Sequence, residues 1–168
     1  MTKRIVMISI LFLGCMTMYA QEFAVPKNYV LKRASDFKKY EPDVIACINW
    51  LENTPLNEEV KKRKEANAFF LEWIVGTKSV TISIDADITS KYTDKNSDFI
   101  TIFMGGWTRY ALENNYSKDK QKGYYEGLKS IINVYKKGIG IKKDEDVDDL
   151  VEMYDNGELE EWIRNKVK

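Results

Sequence analysis

The chain reads as an all-α protein: one domain, built as a bundle of about five helices, with one short extended segment around Val80–Asp85. Three observations predict this. Apolar residues recur at i, i+3, i+4 and i+7 through most of the sequence, the spacing of a single helix face. All three prolines, Pro26, Pro42 and Pro55, fall in the first third, which leaves the remainder free of strong helix breakers. Only one stretch alternates with the period of a strand, "SVTISID", and no convincing partner strand stands near it.

The N-terminus precedes the domain rather than belonging to it. Lys3 and Arg4 are followed by an apolar run from Ile5 to Gly14, the pattern of a secretory signal peptide. The run is about half of the ~20 residues a membrane-spanning helix needs. Two processing sites compete. Cleavage after Ala20 leaves a free protein of 148 of the 168 residues; cleavage before Cys15 leaves a lipid-anchored one. The first is favoured, because Phe12 and Leu13 are poor residues for a lipoprotein cut and Met16–Ala20 lacks the polarity of a tether. The expected organisation is therefore a signal peptide over 1–20, an extended N-terminal arm over 21–32 and a helical domain over 33–168, in the periplasm or secreted.

A short helical turn is expected over Ser35–Lys39. "YEPDVIACINWLENTP" follows as a helix with Pro42 in its first turn, an apolar stripe of Val44, Ile45, Cys47, Ile48 and Leu51, and a stop at Asn53 and Pro55. In "NEEVKKRKEANAFFLEWIVGT", Asn57 is the expected N-cap. Val60, Asn67, Phe70, Leu71 and Ile74 are placed on the inner side, widened by Ala66, Phe69 and Trp73, and Lys61–Lys64 on a solvated face. Val80–Asp85 is expected to lie extended over helices. "SDFITIFMGGWTRYALENN", with Ser97 as a candidate cap, is apolar on so much of its circumference that it belongs at the centre. Gly105 and Gly106 are unfavourable in mid-helix and suggest close approach of a neighbour. "KQKGYYEGLKSIINVYKKGIG" carries Tyr124, Leu128, Ile131, Ile132 and Tyr135 on one face and ends at Gly138 or Gly140. Val147, Leu150, Val151 and Tyr154 mark the next helix, Asn156-Gly157 a turn, and Leu159, Trp162 and Ile163 a short closing helix.

The strings "YEPDVIACINWLENTPL", "ANAFFLEWIVGT" and "FITIFMGGWTRYALEN" resemble a group of uncharacterised small secreted proteins of Gram-negative bacteria. The resemblance implies export and a helical fold. It implies no activity, and it brings no catalytic residue to any position of this sequence.

The composition excludes several chemistries. There is no histidine, which removes Ser-His-Asp and Cys-His catalysis, histidine-ligated zinc and an imidazole switch. After cleavage at Ala20 the loss of Lys3 and Arg4 leaves 24 basic and 26 acidic residues, a net charge of −2, so no nucleic-acid partner is expected. Cys47 is then the sole thiol; its place on an apolar stripe marks it as structural rather than nucleophilic. Asp144, Asp146 and Asp148 imitate the start of a calcium loop, yet Asp149 and Asp155 stand where the turn glycine and the closing glutamate belong. Acids at a helix start explain the run better, and neither a metal nor another cofactor is expected.

Glu52 beside Trp50 and Glu72 beside Trp73 are candidates for carboxylate catalysis, which needs a second acid at a defined separation. The aromatics Trp107, Tyr110, Tyr124 and Tyr125 are candidates for binding a ligand or partner. Together these features point to an exported, non-enzymatic binding protein whose target is an envelope protein or a hydrophobic small molecule. A carboxylate-dependent hydrolase of envelope glycans is the alternative.

Overall fold

The structure, a computed structural model, describes residues 23–167. The expected signal peptide, Cys15 and both cleavage sites lie outside the described residues. The all-α class holds: among the described residues there are eight helices and no strand. They are α1 (Ala34–Lys39), α2 (Glu41–Asn53), α3 (Val60–Gly76), α4 (Ala86–Thr93), α5 (Phe99–Glu113), α6 (Lys120–Lys137), α7 (Glu145–Asp155) and α8 (Leu159–Lys166). Eight replaces the expected five or so. Five have 11 to 18 residues; α1, α4 and α8 have six to eight. The element with no expectation behind it is α4, "ADITSKYT", which buries only Ile88, Thr89 and Tyr92 and is capped by the Asp85 carboxylate accepting from the Asp87 N–H.

The central pair is α5 and α6, and α2 packs on both. The glycines explain how closely they meet. A Cβ on Gly106 would fall 2.5 Å from the Glu126 carbonyl of α6, and one on Gly127 would fall 2.6 Å from the Phe103 ring of α5. Gly105 instead faces Ile48 of α2, where a Cβ would have 3.1 Å. The close approach expected from Gly105-Gly106 is therefore made by Gly106 towards α6, with Gly123 and Gly127 answering from the other side. Around this pair run α3 against α2 and α5, α7 and α8 against α6, and α4 against α5 and α7. One continuous apolar core extends from Phe23 to Val167.

The arm, described from Phe23 onward, lies over α2 and α3. Phe23 stacks on Trp50 at 5.8 Å, and Tyr29 meets the Tyr40 and Phe69 rings edge-on while its hydroxyl donates to Glu72. Val80–Asp85 is non-helical, as expected, with Val80 in the core and the Asp85 N–H donating to the Tyr124 hydroxyl. At the far end Asn96 acts as a clasp: its Nδ2 donates to the Lys142 carbonyl and its Oδ1 accepts from the Lys142 N–H, both at 2.9 Å.

The expectations for α3 need correcting. Asn57 is not its cap; the helix begins at Val60 behind Glu59, which holds a left-handed conformation. The inner face is Arg63, Ala66, Phe69, Phe70 and Trp73, while Val60 and Leu71 are exposed. The basic run is not wholly solvated, because Arg63 is only 4% exposed. Its guanidinium donates to the carbonyls of Leu51, Thr54 and Pro55. The Leu51 and Thr54 carbonyls are left over where α2 ends, while that of Pro55 also accepts from the Glu58 N–H, and a forked cation suits this negative end of the helix dipole. Lys137 donates to the Glu52 carbonyl and the Asn53 side chain at the same place. At α5 the chain enters through Asp98, and Ser97 makes no cap.

Candidate functional site

The four candidate aromatics stand on the two central helices, Trp107 and Tyr110 on α5 and Tyr124 and Tyr125 on α6. Gly123 lacks a side chain where the Trp107 indole passes across α6. The Trp107 and Tyr124 rings meet at 5.0 Å with a 59° tilt, and Phe103 leans on both. Trp107 is 2% and Tyr124 1% exposed, so both are core residues in this structure. The Tyr124 hydroxyl still reaches the rim of a cleft of about 230 Å³ lined by Ser83, Ile84, Asp85, Lys120 and Val167. Burial raises its phenol pKa above the ordinary value.

Tyr110 and Tyr125 are half-buried on the outer side. Tyr110 shares a hydrogen bond with Ser117. Tyr125 borders a second cleft of about 230 Å³ between α6 and α8, lined by Gln121, Lys122, Glu160, Ile163 and Arg164. Its ring lies 5.6 Å from the Lys122 ammonium and 5.7 Å from that of Lys129, with the Tyr154 ring at 6.3 Å. Lys122 donates to Glu160 at 2.8 Å. That hydrogen bond raises the Lys122 pKa and lowers that of Glu160, and Tyr110 and Tyr125 add a smaller electrostatic push on Lys122. The structure thus divides the aromatic set. Trp107 and Tyr124 are buried in the core, Tyr125 lines a charged cleft, and Tyr110 is held by Ser117 outside that lining.

A larger groove of about 690 Å³ lies between the arm and the start of α3. Phe23, Val25 and Val60 provide its apolar surface, and Lys27 and Lys61 stand at its edge.

The carboxylate candidates have other partners. Glu52 is 8% exposed and accepts from Arg109 at 2.7 Å, where Arg109 also holds Asn49 and Ser130. Glu72 accepts from Tyr29. Cys47 is buried, donates to the Ala66 carbonyl, and has its thiol pushed up to about 12 by burial. Such a thiol is not a nucleophile at neutral pH. Asp144 is the N-cap of α7, accepting from the Asp146 N–H, and it pairs with Lys95. Among the described residues no group of three or more Cys, Asp or Glu stands where it could hold a metal ion, and no helix is long and apolar enough to cross a membrane.

The sequence nominated neither Lys122 nor Arg164. Its available signal was Lys122 three residues before Tyr125 on one helix face; Glu160 and Arg164 come from α8, where only the fold brings them near. No protein-family model, curated protein or solved structure matches the chain.

Proposed function

We propose that the chain is an exported, non-enzymatic binding protein and that the cleft between α6 and α8 receives its ligand. One observation carries this: the half-buried Tyr125 ring and the Ile163 side chain meet four polar side chains, Gln121, Lys122, Glu160 and Arg164, in one concavity. An apolar wall with a few convergent polar groups is the usual composition of a small-molecule site. Gln121, Lys122 and Tyr125 stand on α6 and Glu160, Ile163 and Arg164 on α8, so the site is carried by two packed helices rather than by a loop. Two cations against one carboxylate select a small aromatic or aliphatic molecule bearing an acid group. Export rests on the Lys3-Arg4 leader and its apolar run.

The test is a nuclear magnetic resonance titration of the protein with a panel of small aromatic and aliphatic carboxylates. Shifts confined to residues 121–125 and 160–164, and lost in Tyr125→Ala and Arg164→Ala, are expected. A panel that perturbs other surfaces while leaving this cleft silent sinks the proposal.

A further inference from the structure

The segment from Val80 to Ile84, "VTISI", has the composition of a strand and none of its bonds. Among the described residues no backbone N–H or C=O from Val80 to Ile84 has a hydrogen-bond partner. The segment is entered at Thr77 and left at Asp85, both in extended conformation. Val80 is buried and anchors it to the core; Thr81 is exposed, and Ile84 is 50% exposed despite being a large aliphatic residue. No charge, proline or bulge interrupts the run from Ser79 to Ile84, the devices by which an exposed edge normally avoids pairing.

We infer that this edge pairs with the same segment of a second copy, as an antiparallel two-stranded ladder about a two-fold axis through Ile82. The side chains match across that axis. Thr81 faces Ser83 and Ile82 faces itself, so hydroxyls meet hydroxyls and an aliphatic meets its own copy, while Ile84 comes to lie at the register position of the core-anchored Val80. The charges choose the direction. Lys78 stands at one end of the segment, Asp85 and Asp87 at the other. Antiparallel pairing lays Lys78 of each copy beside the acids of the other; parallel pairing would stack like on like. A two-fold contact of this kind closes on itself and stops at a dimer. Ile84 is covered in the process.

Sedimentation equilibrium of the purified protein tests this. A reversible monomer–dimer equilibrium is expected. The double variant Thr81→Lys with Ser83→Lys, which sets cation against cation twice, weakens it by about tenfold or more. The double variant Thr81→Lys with Ser83→Glu, which sets opposite charges across the axis, retains it. Amide hydrogen exchange gives an independent readout, with protection at residues 80–84 that rises with protein concentration. A protein that stays monomeric to millimolar concentration, a dimer indifferent to the paired lysines, or exchange at 80–84 that ignores concentration overturns the inference. A monomer whose 80–84 amides become protected only on adding an acetylated Thr-Val-Thr-Val-Thr peptide also overturns it, and gives the edge to a foreign strand.

Discussion

At the scale of single residues, Arg63 shows how a charge can be both buried and stabilising. It donates to three carbonyls at the end of α2, two of which, Leu51 and Thr54, have no intrahelical donor. Arg63→Met is expected to destabilise the protein by about 2–4 kcal/mol in urea unfolding, since hydrogen bonds from charged groups contribute about 1.5–3 kcal/mol each and are not additive. Arg63→Lys is expected to recover less than half of that, because one ammonium cannot reproduce the fork. Burial without a partner to ionise it explains Cys47: the native thiol is expected to resist iodoacetamide at pH 8 and to react once denaturant is added. The sequence exposed Cys47 plainly, because Val44, Ile48 and Leu51 share its stripe. It concealed Arg63, because a lone inward arginine in "KKRKE" looks like its solvated neighbours, and its acceptors lie up to 12 residues back in α2.

At the scale of elements, the α5–α6 seam depends on where a side chain is missing. Alanine is favoured over glycine in mid-helix by about 1 kcal/mol, so propensity alone predicts that either Gly105→Ala or Gly106→Ala stabilises. The contacts predict otherwise for one of them. At Gly106 the new Cβ meets the backbone of α6, which cannot move without moving the helix, and a net loss of about 1–3 kcal/mol is expected. At Gly105 it meets only an Ile48 methyl, and a change within about 1 kcal/mol is expected. Thermal unfolding of the two variants side by side checks the asymmetry. Helices with a dense apolar period were legible from sequence; α5 and α6 lie where they were expected. The helix α4 was not, because eight residues with Ile88 and Tyr92 as the only large apolar side chains give one turn of pattern, too short to stand out. The face of α3 was drawn too wide: Ala66, Phe69, Phe70 and Trp73 are inside as expected, but Val60 and Leu71 are exposed, and Arg63, assigned to the solvated side, is buried.

At the scale of the whole molecule, the lack of histidine shapes the response to pH. With no imidazole to titrate near neutrality, stability is expected to be nearly flat from about pH 6 to about pH 8. Above that it should fall. Burial lifts Cys47, Tyr29 and Tyr92 to about 12 in the folded state, from ordinary values of 9.0 and 10.0. Because the folded pKa is the higher one, this stabilisation is complete below the unfolded values and is lost as pH rises through the interval to about 12. Equilibrium unfolding from pH 6 to 12, with tyrosine ionisation followed in the ultraviolet, checks both limbs; a stability maximum near neutrality would contradict the flat one. The helical class was legible at this scale, whereas the cleft was only half so: Tyr125 was nominated from composition, but its ring of charges depends on α8 folding back 38 residues downstream of Lys122. The Asn96 clasp carries a different consequence, one of chemical ageing. Asparagine followed by a small residue slowly loses its side-chain nitrogen, and here that nitrogen is the donor that joins the loop before α5 to the loop before α7. Deamidation at Asn96 would set a carboxylate oxygen against the Lys142 carbonyl and open the clasp. Burial delays it, so Asn156, exposed before Gly157, should age first, and the functional lifetime of the fold should track the slower conversion at Asn96.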